Sequence, residues 1–308
     1  MFKVFGFYKF IEIKSFKKKK ILLQKMLITN DIRGTIIISQ EGLNGTISGY
    51  NKNIEKTIKK IKSLFSFKYF DSNNISKSLF QPFHKPKVKI KKEVVPMNFT
   101  LNPKERNTET HLNPKEWNDL IKKKDTHIID TRKPFEYDVG TFKKSINPDI
   151  NNFRDFPRYL NKLNKKKPVA MFCTGGIRCE KTFVYLKKRG FKNIYQLNGG
   201  ILNYLKKTKK KDSLWKGECF VFDNRVSLKH GLINGTYSVC SGCRMPVSKK
   251  DKNSKKYEEG VSCSRCYDKL TKSQKLRFRM RQSQIYKEIG RAHVRTPVTR
   301  GYRMPSSA

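Results

Sequence analysis

Phe172–Thr182 reads FCTGGIRCEKT, and the fold turns on this stretch. The buried apolar run PVAMFC (168–173) reads as a strand ending at Cys173; Thr174, Gly175, Gly176, Ile177 and Arg178 form a loop, and a helix follows. Two adjacent glycines let the backbone aim several N–H groups at one point, and the positive end of the next helix adds to it. Such a nest holds an anion. Cys173 sits at its rim beside Arg178, so the thiolate form is favoured and Cys173 is a candidate nucleophile at neutral pH. A cysteine that merely closes a core strand is the plainer alternative for this residue taken alone.

Outward from the loop, THIID (126–130), SINPDI (145–150) and NIYQL (193–197) read as further strands, with helices expected over 158–165, 179–189 and 201–207. Alternating strands and helices predict an α/β domain over 111–212, a parallel sheet with helices on both faces. Asn113, Pro114 and Glu116 supply the capping pattern of a helix starting at Pro114. Residues 96–110 (PMNFTLNPKERNTET) lack periodicity and read as a linker. Before it, residues 1–95 offer strands over 2–11, 35–39, 45–48 and 88–95, with amphipathic stretches around Ile21–Leu27 and Ile54–Phe65. The order strand, helix, two strands, helix, strand is that of a ferredoxin-like α+β domain. EGLNG, Glu41–Gly45, reads as a hairpin turn by composition. The aromatic stripe from Phe2 to Phe10 offers rings for stacking on bases, although alternation along a strand assigns at least half of it to the core. His84 and His111 have no ligand spacing and read as solvated.

Beyond the lysine run at 206–212 the chain is strand-poor and holds Cys240, Cys243, Cys263 and Cys266, two CxxC pairs separated by 19 residues. Four thiolates at tetrahedral reach suit a structural zinc with no open position, and a small Cys-rich module over 213–288 would gain folding energy from it. Redox CxxC pairs or unliganded thiols are the alternative. The basic segment 269–288 reads as a helix able to track phosphates, or as a solvated tail. Residues 289–308 show neither periodicity nor capping and are expected to be a non-native tail.

The 308 residues carry 69 Lys and Arg against 25 Asp and Glu, a formal charge of +44. Drift toward A- and T-rich codons would also add Lys, but a polyanionic partner, with nucleic acid first, is the simplest physical explanation. No apolar run is long enough for a membrane span. Seven cysteines without a secretion signal point to a reducing cytoplasm where thiols serve catalysis or metal.

The loop at 172–182, with IIDTRKPFEYDVGTF (128–142) and YQLNGGILNY (195–204), resembles the rhodanese domain at three correctly ordered places. That resemblance makes Cys173 the position of the covalent intermediate and 174–178 its cradle. Asp130, Arg132 and Glu136 would brace the rim, and Cys179 would pack or resolve an oxidised intermediate. Thr141 stands where rhodaneses often carry His. GFYKFIEI near the start, QEGLNGTISG (40–49), FCTGGIRCEK (172–181) and CFVFDNRVS (219–227) extend the likeness over residues 1 to about 285, which is similar to the rhodanese-like tRNA uridine hydroxylases. The resemblance implies a tRNA partner, molecular oxygen as co-substrate, and hydroxylation of the wobble uridine to 5-hydroxyuridine. The loop alone also fits a persulfide sulfurtransferase acting on RNA or a carrier protein, and a nonenzymatic RNA-binding protein retains the same basic charge.

Overall fold

The computed structural model describes residues 1–107 and 109–294, with side chains described through 287. Residues 295–308, most of the expected non-native tail, lie outside the described residues. By contact density the chain divides into two units, Met1–Gly235 and Thr236 onward.

The first unit opens with β1 (Phe2–Phe10), α1 (Phe16–Thr29), β2 (Arg33–Ser39), β3 (Gly42–Gly49), α2 (Asn51–Leu64), β4 (Ser72–Ser78) and β5 (Pro86–Ile90). These strands form one sheet in the order β4-β1-β3-β2-β5, with β5 parallel to β2 and the other pairs antiparallel. Side chains alternate across it. Phe5, Phe7, Ile36, Ile38, Leu43 and Ile47 pack on Leu23 and Leu27 of α1 and Ile54 and Ile61 of α2. The opposite face carries Gly6, Tyr8, Asn44, Thr46, Asn74 and Ser76, where Gly6 faces Thr46 and Asn74, and Tyr8 faces Asn44. The aromatic stripe of β1 is therefore core, with Phe5 and Phe7 toward the helices and Tyr8 and Phe10 toward the second sheet.

One strand expectation is corrected. The strand that closes the ferredoxin-like pattern is β4, SNNISKS, and the run expected at 88–95 is a shorter added edge strand, β5, paired with β2. Beyond Ile90 the chain leaves the sheet, because Val94 is drawn into the packing between the two sheets and Val95 is buried at the cavity wall.

The second sheet is wholly parallel. It uses β6 (His111–Leu112), β7 (His127–Asp130) and, after α3 (Pro114–Lys122), α4 (Pro134–Val139), β8 (Gly140–Phe142) and α5 (Phe156–Leu160), the strands β9 (Val169–Phe172) and β10 (Ile194–Leu197), in the order β6-β10-β9-β7. Between and after the last two strands come α6 (Ile177–Lys188) and α7 (Gly200–Lys207). Ile129, Val169 and Met171 face α5 and α6, whereas Ile128, Ala170 and Phe172 face α3 and α7, so helices cover both faces. The α3 capping box forms as expected, with Asn113 accepting from Lys115 and Glu116 and Glu116 accepting from Asn113 N–H. SINPDI contributes a single bridge, Ile146 to Ile129, because Pro148 has no N–H to extend a ladder. The helix expected at 158–165 lies at 156–160 instead: Pro157 sits in its first turn and Asn161 ends it.

Residues 213–235, expected within the Cys-rich module, belong to the first unit by contact. There β11 (Trp215–Gly217) pairs with β8, and β12 (Cys219–Phe220) pairs with β13 (Ser227–Leu228). The second unit holds β14 (Ser238–Val239) paired with β15 (Pro246–Val247), then α8 (Lys249–Lys252) and α9 (Lys272–Val294) around a core of Cys240, Val247, Cys263 and Cys266. No helix among the described residues is long and apolar enough to cross a membrane.

Candidate active site

Strand β9 delivers Cys173 to the floor of a cavity of about 470 Å³. Its side chain is 2% exposed, yet the sulfur is not sealed in apolar packing, because Gly176 N–H donates to Sγ at 3.1 Å. Burial by itself would raise the thiol's pKa. The Cys179 thiol, the Arg178 guanidinium and the N–H groups of Arg178 and Gly176 outweigh that and hold it at about 6, so the thiolate dominates at neutral pH. Gly176 adopts φ +102°, in the left-handed region, and a Cβ there would meet Tyr8 Oη at 3.1 Å. Of the two adjacent glycines, only Gly176 is demanded by backbone geometry.

The motif at 195–204 supports the loop from below. Ile201 N–H donates to Cys173 O at 3.0 Å and Leu202 N–H to Thr174 O at 3.1 Å. Gly200, at φ +66°, lets α7 come this close, since a Cβ would lie 2.5 Å from Cys173 O. Above the loop stands the polar face of the first sheet: Ser72 Oγ donates to Gly175 O at 3.4 Å and Asn74 Nδ2 to Gly199 O at 3.2 Å. The cavity is thus walled by the cysteine loop on one side and by Tyr8, Asn44 and Asn74 on the other, with Phe153, Lys133 and Arg178 around it.

A UPF0176 acylphosphatase-like domain model matches residues 2–94 and a rhodanese-like domain model matches 113–207. The tRNA uridine(34) hydroxylase of Pelagibacter ubique (strain HTCC1062) is 68% identical over 296 residues, covering 96% of this chain and 98% of that relative. The chain belongs to the tRNA uridine(34) hydroxylase family. Among solved structures, a rhodanese-related protein from Thermoplasma volcanium is 25% identical, covering 31% of this chain and 89% of that chain at a TM-score of 0.26. A rhodanese-like domain protein from Staphylococcus aureus is 25% identical, covering 31% and 90% at 0.27.

In this hydroxylase-family chain the residues expected at the rim form a bracing network. Arg132 donates through Nε and Nη2 to Asp130 at 2.9 and 2.6 Å and through Nη2 to Gly140 O at 2.6 Å. Thr141, at the position where His is frequent, donates to Asp130 Oδ2 at 3.0 Å and so joins the brace. Glu136 pairs with Arg178 at 3.1 Å and accepts from Lys133 N–H, tying α4 to the cysteine loop. Cys179 lies one turn into α6 beside Thr131 Oγ1 at 3.8 Å and is buried outside the cavity wall. Burial, then the neighbouring Cys173, pushes its thiol well above the ordinary value.

Two buried ionic clusters escaped the sequence reading. Lys181 Nζ donates to Glu41 at 3.0 and 3.1 Å, Glu93 at 2.7 Å and Val95 O at 3.0 Å, with its side chain wholly buried. Glu41 lies in the turn at 40–41, whereas the rest of EGLNG, expected as a hairpin turn, begins strand β3; Glu41 also accepts from Val94 and Leu101 N–H. The second cluster centres on Glu180, which accepts from Tyr8 Oη at 3.0 Å and Arg106 at 2.7 Å and faces His111 at 3.5 Å. Although burial opposes it, His111 and Arg106 hold the Glu180 carboxyl at about 2. His111 is therefore a member of this cluster and not a solvated side chain, while His84 contacts Asn224 at 3.2 Å. The signal available in sequence was the pair Glu180–Lys181 inside FCTGGIRCEKT, two charges where the helix must bury most of its surface.

In the second unit, Cys240, Cys243, Cys263 and Cys266 bring their sulfurs within 4.8 Å of one another, with neighbouring pairs at 3.7–3.9 Å. Four sulfurs at the usual zinc–thiolate distance on a tetrahedron stand about 3.8 Å apart, so the set fits a structural zinc.

Proposed function

We propose that this protein hydroxylates uridine 34 of tRNA at C5, with Cys173 as the nucleophile and molecular oxygen as co-substrate. The observation that carries the reading is the Cys173 sulfur, met by Gly176 N–H at 3.1 Å, at the base of a cavity of about 470 Å³, room for a nucleobase. C5 of uracil reacts poorly until a nucleophile adds at C6; the thiolate supplies that addition and makes C5 electron-rich toward oxygen. One atom of dioxygen bonds to C5 and the other leaves as water with two electrons from an external two-electron donor such as a thiol reductant; loss of the C5 proton with expulsion of the Cys173 thiolate then restores the ring. Asp130, Arg132 and Glu136 position the loop, and Cys179 keeps a neutral thiol that donates toward Cys173. The 68% identical relative named as a tRNA uridine(34) hydroxylase supports the substrate, as does the charge of +44. A cytoplasmic setting follows from the tRNA substrate. Nucleoside mass spectrometry of tRNA from a deletion strain tests this: loss of 5-hydroxyuridine derivatives is expected, and loss of thiolated bases instead would establish sulfur transfer.

Because the Cys173 pKa lies below the ordinary thiol range, protonation switches the nucleophile off only in acid. Alkylation of Cys173 by iodoacetamide, followed by peptide mass spectrometry, should be nearly flat above pH 7 and fall about tenfold per unit below about pH 6. A rate still climbing tenfold per unit between pH 7 and 8 would contradict the ionised sulfur.

We also assign the four C-terminal cysteines to one structural zinc. Elemental analysis should find one zinc per chain, and Cys263→Ser or chelation should remove it and expose the Thr236-onward unit to proteolysis. Metal-free protein with unchanged protection there would refute the assignment.

A further inference from the structure

A second cavity, of about 340 Å³, adjoins the one above Cys173 along the polar face of the first sheet. The two share Gly6, Asn44, Thr46, Asn74, Thr174 and Phe222 among their lining residues, so they abut, and Cys173 lines only the first. Each lies within the roughly 300–1,000 Å³ range of small-molecule sites, and one base bound over Cys173 leaves the second compartment unfilled.

Phe222 stands at the boundary between them, 64% exposed. An apolar ring this exposed is ordinarily free to move, yet the backbone on both sides of it is clamped. Val221 N–H donates to Val226 O at 2.9 Å and Asn224 N–H to Pro82 O at 3.0 Å. Arg225, itself buried, grips Asp223 at 2.6 Å and donates to Ser76 Oγ of β4 at 2.7 Å. The ring packs edge-on against Phe220 at 5.1 Å, which leaves a face for a partner. Asn44 and Asn74, on the polar face of the sheet, line both compartments. A held aromatic face together with amide side chains is what an unpaired base can occupy, stacking on the ring and presenting its edge to the amides.

We infer that the second compartment is a subsite for a nucleobase adjacent to the target uridine in the same single strand, stacked on Phe222. The inference rests on the tRNA reading above. A fluorescence-anisotropy titration with an anticodon stem-loop RNA tests it, using Phe222→Ala, Phe222→Trp and stem-loops made abasic on either side of uridine 34. Phe222→Ala should weaken binding about 5- to 150-fold, Phe222→Trp should hold it near the native value, and one of the two abasic RNAs should lose affinity with the native protein but lose no more with Phe222→Ala. Native affinity in Phe222→Ala, or losses that simply add, would overturn the subsite. Because the ring is largely exposed, both variants should unfold at the native temperature. If the native protein does not bind the stem-loop, subsite and tRNA reading fall together; if it binds and Phe222→Ala binds equally, the subsite falls alone.

Discussion

Cys173→Ser should form no detectable 5-hydroxyuridine, a loss on the order of 10⁴-fold or more in single-turnover assays with tRNA and oxygen. The substitution keeps the shape of the loop, since a hydroxyl can accept from Gly176 N–H as the sulfur does at 3.1 Å. What it removes is ionisation. The same dipoles and the Arg178 charge that bring the thiol to about 6 start from a far weaker acid in serine, and a neutral hydroxyl does not add to C6 of uracil. The variant should also bind the anticodon stem-loop with native affinity, which separates lost chemistry from lost binding. Full turnover in Cys173→Ser would end the nucleophile assignment.

Lys181→Met should lower stability by about 3–5 kcal/mol, the cost of leaving buried partners of an ion pair uncompensated. Against the roughly 5–15 kcal/mol of a typical domain this is a large share, and calorimetry should read a fall in the unfolding midpoint of about 6–20 °C. The reason is geometric: without the ammonium, the buried Glu41 carboxylate is left facing Glu93, which keeps 11% of its side chain exposed, and Val95 O. Adding Glu41→Gln should recover part of the loss, because it removes one of the stranded charges. A midpoint within 2 °C of native in Lys181→Met, on the order of 1 kcal/mol at most for a domain of this size, would show that the cluster carries little stability.

The cysteine loop and the paired CxxC motifs could be read because their chemistry is local: strand, glycine turn and helix follow one another, and the thiols recur at fixed spacing. Strand β4 could not. Ser72, Asn74 and Ser76 face the cavity and Asn73 and Lys77 face solvent, so SNNISKS has no apolar side to announce a strand. Its polarity, misleading for the fold, marks the wall of the site. The ionic clusters were hidden for a different reason. Glu41 and Lys181 are 140 positions apart, and a charged residue in a chain this basic reads as solvated until the fold brings its partner in. Residues 213–235 look strand-poor because their strands are two or three residues long and take their order from β8.

A cysteine loop on a free-standing parallel sheet meets bulk water across its whole mouth, and any small sulfur acceptor that diffuses past can reach it. Here the ferredoxin-like domain acts as a ceiling, tied to helix α6 where Lys181 meets Glu41 and Glu180 meets Tyr8. What reaches the sulfur passes Tyr8, Asn44 and Asn74, so the ferredoxin-like domain takes part in choosing the acceptor.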